Sequence, residues 1–370
     1  MKCLSLLIKP VSGNCNLRCR YCFYTDVVSL RKEKGAGMMS LETLERLVYK
    51  ALSESTQMCV FGFQGGEPTL AGIDFYRELI RFEKQYNTNR VSIRHSLQTN
   101  GLLLDSEWCA FLAENKFLTG LSMDGPKFLH DVLRVDGDES GTHSRCLQAA
   151  RLLTKHKAEF NILTVVTRHL AAHPGKVYQY YKRQGFRHLQ FIPCLERLEE
   201  TDDSHTYSPD NKRCGYFLHR LFDLWYEDFE KGDYYSIRNF DNFIYILAGY
   251  PPENCAASGL CSVSPLVEAD GSVYPCDFYA LDPYRMGSVY THSFADMLSG
   301  DIAMSFIAPS RAIHPACKTC SYYPVCRNGC RRERIHDADG QLGQNRYCAA
   351  YRQFFQYTMP RMAHVARGLR

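Results

Sequence analysis

The sequence predicts an α/β fold. A partial (β/α)6 barrel should occupy residues 1–235, and a cysteine-rich domain residues 236–370. Three observations carry that prediction. Strand-like runs alternate with amphipathic segments through the first part. The alternation stops after about residue 235. Eleven of the 17 cysteines then fall into two groups, three near the N-terminus and eight between Cys255 and Cys348.

The strand-like runs are Leu4–Ile8, Cys59–Phe63, Val91–Gln98, Phe117–Met123, Phe160–Thr167 and His188–Cys194, each apolar or β-branched. Between them, helical spacing marks Ser40–Ser53, Gly72–Gln85, Ser106–Asn115, Thr142–Lys155 and Pro174–Gln184. Ser40 and Ser106 are expected N-caps, with polar residues in the turn that follows. Repeated βα units predict a parallel sheet with helices outside it. Six strands rather than eight make the barrel partial, and functional groups belong at the C-terminal strand ends. A polar loop, Glu199–Ser208, and a long helix, Pro209–Lys231, close this part. Beyond it, Leu266–Glu268 and Val273–Tyr274 read as a hairpin about an Asp-Gly turn. Tyr347–Arg370 again reads as helix.

Bulk properties exclude several functions. A net charge of +4 spread over both halves gives no case for nucleic acid as the partner. The apolar start, MKCLSLLIKP, ends at Lys9-Pro10 and reads as a first strand, not a signal peptide. No apolar run approaches the ~20 residues of a membrane span. A cytoplasmic location is expected, where thiols stay reduced and clustered thiols point to metal. The six scattered cysteines (Cys3, Cys59, Cys109, Cys146, Cys194, Cys214) are expected to be buried small hydrophobes.

Cys15, Cys19 and Cys22 have the spacing C-x3-C-x2-C within GNCNLRCRYCFY. A tetrahedral zinc would need a fourth ligand. A cubane of four irons held by three thiolates keeps one iron open, as a catalytic centre does. The loop resembles that of the radical S-adenosylmethionine (SAM) enzymes, down to aromatic Tyr21 before the last cysteine. In that family SAM chelates the open iron, and its reductive cleavage yields a 5′-deoxyadenosyl radical. Gln64-Gly65-Gly66-Glu67-Pro68 after the second strand resembles the family's GGE motif. The resemblance implies SAM contacts from Tyr21, Gly66, Ser122, Arg134 and the backbone at Leu195.

The eight later cysteines match the demand of two fully ligated cubanes. Two zinc ribbons are the competing reading of the same count. The run Cys317-x2-Cys320-x5-Cys326-x3-Cys330 with trailing Cys348 resembles the SPASM extension of peptide-modifying radical SAM enzymes. That resemblance implies a first auxiliary cluster on Cys255, Cys261, Cys276 and Cys330. It implies a second on Cys317, Cys320, Cys326 and Cys348. The cofactors would then be three 4Fe–4S clusters and SAM.

Along its whole length, through LSLLIKP, FQGGEPTL, SLQTNG, GLSMDGP, FNILTVVT, LFDLWYEDF and DGSVYPCDFY, the chain resembles the anaerobic sulfatase-maturating enzymes. The implied reaction oxidises a cysteine or serine of a sulfatase to Cα-formylglycine by hydrogen abstraction at Cβ. The implied partners are an unfolded or nascent sulfatase carrying Cys/Ser-x-Pro-x-Arg, and an electron donor such as a ferredoxin or flavodoxin. By the same resemblance Asp277, next to Cys276, is the general base. Tyr24, Gln64, Gln98 and Arg238 are expected to contact the peptide. The nearest alternative is a maturase that forms a thioether or other crosslink in a ribosomal peptide. A zinc protein that scaffolds a partner is the alternative of another class.

Overall fold

The computed structural model describes residues 1–198, 206–336 and 341–369. They form two compact units that interleave along the chain. The first comprises Met1–Ser122, Asp131–Phe160 and Val263–Phe306; the second comprises Met123–His130, Asn161–Ser262 and Ile307–Arg370. The change of texture at residue 235 therefore divides the sequence but not the packing, since Val263–Phe306 belongs with the N-terminal strands.

In the first unit four parallel strands lie side by side: β1 (Cys3–Ile8), β2 (Met58–Phe63), β3 (Ser92–Thr99) and β4 (Phe117–Ser122). Their apolar residues are buried between helices, as parallel sheets require. In β1 the residues alternate: Leu4, Leu6 and Ile8 are buried and Cys3 is exposed. Cys3 is thus not the buried hydrophobe expected, because its place in the two-residue period faces outward. The other five scattered cysteines are buried. Registers Ile8↔Phe63 and Phe63↔Leu97 put the following residues, Lys9, Gln64 and Gln98, at one level of the sheet's C-terminal edge.

The predicted hairpin forms and extends this sheet. From here on β5 denotes Phe160–Val166, β6 His188–Pro193 and β7 Ser236–Ile237; β8 is Leu266–Val267, β9 Ser272–Tyr274 and β10 Gly287–Ser288. Strand β8 pairs in parallel with β1, while β9 and β10 follow antiparallel. That pairing carries the residues after Tyr274 to the sheet of the first thiolate loop.

Local chemistry accounts for the helices. Helix Leu41–Glu54 buries Leu44, Leu47, Val48, Ala51 and Leu52, the spacing of one helical face. Ser40 caps it, its hydroxyl accepting from the Thr43 amide at 3.0 Å. Helix Ser106–Glu114 is capped by Asp105, not by Ser106: the Asp105 carboxylate accepts from the Trp108 amide at 2.9 Å. The carboxylate one residue earlier has the extended backbone a cap needs, and Ser106 becomes the first helical residue. The core beneath is aromatic, with Tyr76 edge-on to Phe63, Trp108 and Phe117.

The second unit carries β5, β6 and β7, paired in parallel. Helix Asn211–Glu230 packs with Arg238–Ala248 and Cys348–Arg367 around Phe222, Trp225, Phe240 and Phe354. Sequence reading missed Arg238–Ala248, where only Phe240 and Ile244 are buried, too few to mark a face. Gly249 ends it in the left-handed conformation, φ 97°. It missed Phe23–Ser29 too, which at seven residues is too short to show a period. The expected loop at Glu199–Ser208 lies mostly outside the described residues. Among those described, no helix is long and apolar enough to cross a membrane.

Candidate active site and thiolate sets

The loop that leaves β1 carries the first thiolate group. Cys15, Cys19 and Cys22 are all half-buried. Two backbone bonds zip this loop to a neighbouring segment: Arg18 N–H donates to Val135 O at 2.7 Å and Arg20 N–H to Leu133 O at 2.9 Å. The zipper fixes Arg134 between them, and its Nη1 donates to the Tyr21 hydroxyl at 2.8 Å. The two residues expected to contact SAM on this side are thus joined.

Gly66 sits beneath the same loop. At φ +53° a Cβ there would lie 2.0 Å from the Asn14 carbonyl oxygen, so only glycine permits the approach. The next residue, Glu67, escaped the sequence reading as a functional side chain. It is 1% exposed. Its carboxylate accepts from the Thr69 amide and hydroxyl, the Thr99 hydroxyl and the Asn100 amide, all within 3.1 Å. Burial raises its pKa even so, against the pull of those bonds. Glu67 ties the GGE loop to the Gln98-Thr99-Asn100 turn. Asn100 Nδ2 donates to Asn16 Oδ1 at 2.8 Å and lies 3.9 Å from Cys15 Sγ.

The donor set fits an iron cluster. Burial pushes the Cys15 thiol up to about 11, so a bound cation is needed to hold it as thiolate. The Leu17 amide already points at its sulfur, at 3.3 Å. Among the described residues no three His, Cys, Asp or Glu side chains group around a single metal ion. Thiolates that each bind a separate iron of a cubane need not converge on one point.

Asp277 is buried and held from three sides. Tyr24 Oη lies 2.7 Å from each carboxylate oxygen. Gln64 Nε2 donates to Oδ2 at 2.6 Å and to Tyr24 Oη at 3.0 Å. Lys9 Nζ is 3.1 Å from Oδ1. Burial and the Asp277 charge drive the Tyr24 phenol well above its ordinary pKa, so it remains a donor. Of the expected site residues, Asp277, Tyr24 and Gln64 therefore meet in one cluster. Lys9 was missed as a site residue, because within LSLLIKP it reads only as the end of the first strand. Gln98 stands half-buried at the same sheet level, and Ser122 ends β4.

In the second unit Cys317, Cys320, Cys326 and Cys348 line one cavity of about 200 Å³ with Tyr322, Arg352 and Phe355. Cys330 is not among its lining residues. A chain between Cys326 and Cys330 packs on the Cys255–Cys261 loop. A Cβ on Gly259, φ +68°, would lie 1.8 Å from the Arg327 carbonyl oxygen. Arg334, 6% exposed, clamps both loops through Gly259 O at 2.5 Å and Gly329 O at 3.0 Å. Leu195 is half-buried, its carbonyl 3.9 Å from Cys194 Sγ. Arg238 is engaged by Glu253 at 2.7 Å and by Gln190 at 2.8 Å.

Parallel strands with a three-thiolate loop after the first of them, followed by a cysteine-rich extension, define a radical SAM enzyme with an auxiliary cluster domain. The Radical SAM superfamily model matches residues 10–175, and the SPASM iron-sulfur cluster-binding domain matches residues 261–321. The chain is 44% identical over 369 residues to a cysteine-type anaerobic sulfatase-maturating enzyme of Clostridium novyi, covering 100% of this chain and 99% of the relative. It is 30% identical to a serine-type anaerobic sulfatase-maturating enzyme of Bacteroides thetaiotaomicron, covering 100% and 92%. The solved structure of native anSMEcpe with bound AdoMet and Cp18Cys peptide superposes with TM-score 0.95 at 44% identity, over 100% of both chains. Streptococcus suis SuiB bound to S-adenosylmethionine shares the fold, with TM-score 0.65 at 16% identity over 94% of this chain and 77% of that one. The chain belongs to the anaerobic sulfatase-maturating enzyme family.

Proposed function

We propose that this chain oxidises a peptidyl cysteine of a sulfatase, within a Cys-x-Pro-x-Arg motif, to Cα-formylglycine, with serine as the poorer target. The cysteine preference rests on the 44% identity to a cysteine-type relative against 30% to a serine-type one. The observation that carries the chemistry is the buried Asp277 carboxylate, fixed by Tyr24 and Gln64 and placed by the chain next to Cys276.

Cys15, Cys19 and Cys22 hold the SAM cluster, and the eight later cysteines hold two auxiliary clusters, for about twelve irons per chain. Tyr21, Arg134, Ser122 and the Gly66 backbone hold SAM. When bound, these groups supply the one-electron chemistry that removes a hydrogen atom from the target Cβ and accepts the remaining electron. The protein's own task is the proton. Asp277 takes it from the target thiol at a carboxylate oxygen, leaving a thioaldehyde whose sulfur is then exchanged for the oxygen of water, with release of sulfide. A carboxylate offers about four lone-pair sites. Tyr24 and Gln64 donate hydrogen bonds to it and Lys9 pairs with it by charge, which leaves lone-pair capacity for the substrate. Gln64 and Tyr24 also face the peptide, with Gln98 beside them on the sheet edge. A ferredoxin or flavodoxin delivers the initiating electron in the cytoplasm.

The test is anaerobic incubation with SAM, reductant and matched cysteine and serine peptides, read by mass spectrometry. Formylglycine from the cysteine peptide is the expected product. A crosslinked peptide of conserved side-chain count, or no change, would overturn the reading.

A further inference from the structure

Lys9 is fully buried, although a lysine in that position has every reason to reach water. Its Nζ stands between two carboxylates, 3.1 Å from Asp277 Oδ1 and 3.5 Å from Glu268 Oε1. It also lies 4.1 Å from the centroid of the Tyr24 ring. Glu268 is 2% exposed and pairs with Arg31 Nη2 at 2.7 Å. Arg31 is itself fixed, by a bond from Nε to the Ala280 carbonyl and by the face of Tyr274 at 5.3 Å. The result is a buried row of alternating charge, Arg31, Glu268, Lys9, Asp277, with no net charge.

The backbone is built around this row. Lys9 N–H donates to Val267 O at 2.9 Å, next to Glu268. Gly65, φ +90°, leaves space for the lysine stem: a Cβ there would lie 2.4 Å from Lys9 Cγ and 2.7 Å from Cδ. The first glycine of Gln64-Gly65-Gly66 thus serves Lys9, whereas Gly66 serves the cysteine loop. Three segments far apart in sequence are shaped to bring one ammonium group to one oxygen of Asp277. A buried ion pair is a weak source of stability, and similar apolar packing often does as well. Keeping four charges in the interior therefore asks for another reason.

We infer that Lys9 is a positioning residue for Asp277. It holds the carboxylate by Oδ1 while the Glu268–Arg31 pair holds Lys9, so that the open acceptor site keeps one direction when the peptide displaces Tyr24 or Gln64. The inference rests on the base role of Asp277 proposed above. Lys9 is fully buried, so its loss should act on turnover rather than on peptide binding.

The experiment measures formylglycine formed per 5′-deoxyadenosine released, with iron content and peptide KM, in K9M, K9M/E268Q and D277N. K9M leaves one uncompensated buried negative charge, and poor folding would follow from that alone. K9M/E268Q removes one charge of each sign and restores the balance. The expected result for K9M/E268Q is parental iron content, KM within about twofold, and product per 5′-deoxyadenosine down roughly 10²-fold, the usual cost of a misplaced reacting group. Parental coupling in K9M/E268Q would overturn the inference and reduce Lys9 to charge balance. Should that protein not accumulate, G65A tests the same contact with all four charges kept, and parental coupling there overturns it equally. D277N separates the two readings. If D277N stays fully coupled, the base assignment fails. If D277N loses coupling and K9M/E268Q does not, only the role of Lys9 falls.

Discussion

The two thiolate regions of this chain are built differently. Around Cys15, Cys19 and Cys22, the loop is held by backbone hydrogen bonds to Leu133 and Val135, and the sheet edge beside it carries a buried glutamate and a row of four buried charges. Around Cys317, Cys320, Cys326 and Cys348, short helical turns surround a cavity of about 200 Å³, and four of its lining residues are the thiols themselves. A scaffold of strands can hold an open site rigid without metal. A loop-rich region with little apolar periodicity needs its metal as a staple, because binding free energy there is folding free energy. The proposed reactive site is the one beside the parallel strands.

Removing iron should break that comparison most visibly. In chelated, metal-free protein, hydrogen exchange should speed up across 311–348 while β1 to β4 stay protected. Equal loss in both regions would show that the sheet also depends on metal. Next in size, D277N should lower formylglycine formation by roughly 10²–10⁴-fold, the contribution of a placed general base. Its iron content should match the parent, which isolates chemistry from stapling. Leu47→Ala, a truncation at a fully buried helix position, should cost about 2–5 kcal/mol by denaturant unfolding. Arg334→Met should cost less, about 1–3 kcal/mol for carbonyls left without a donor. Its signature should be iron lost from the second unit while SAM cleavage persists.

The smallest effects sharpen the local readings. Asp105→Ala should cost about 1 kcal/mol and Ser106→Ala a few tenths, since only Asp105 caps the helix. Burial pushes the Cys59 and Cys214 thiols from 9.0 to about 12. Their protons are held more tightly in the folded state. The linked stability is present in full below pH 9.0 and falls as pH rises towards 12. Thermal melts across that window should show the decline, with alkylation of both thiols appearing only on unfolding.

Much of this was legible in the residues. Apolar and β-branched runs gave the six strands, and helical spacing gave the flanking helices, because such patterns are local. The three-thiolate spacing and the Gln64–Pro68 turn marked the reactive edge for the same reason. Capping was less legible at Asp105-Ser106, where two competent residues adjoin and only the backbone dihedrals choose between them. Short helices without a full apolar face, such as Phe23–Ser29, gave no signal.

What the sequence by itself determined is the chemical inventory: eleven grouped cysteines, a first strand whose end leads into the first three, and an aspartate bound in sequence to Cys276. Only the tertiary structure decided what surrounds that aspartate. Its partners Tyr24 and Gln64 are 253 and 213 residues away. They meet it because β8, far along the chain, pairs in parallel with β1. Lys9, Glu268 and Arg31 have no spacing rule at all. Charges pair by distance in space, and a parallel strand added from the far end of the chain sets that distance without leaving any period for the sequence to carry.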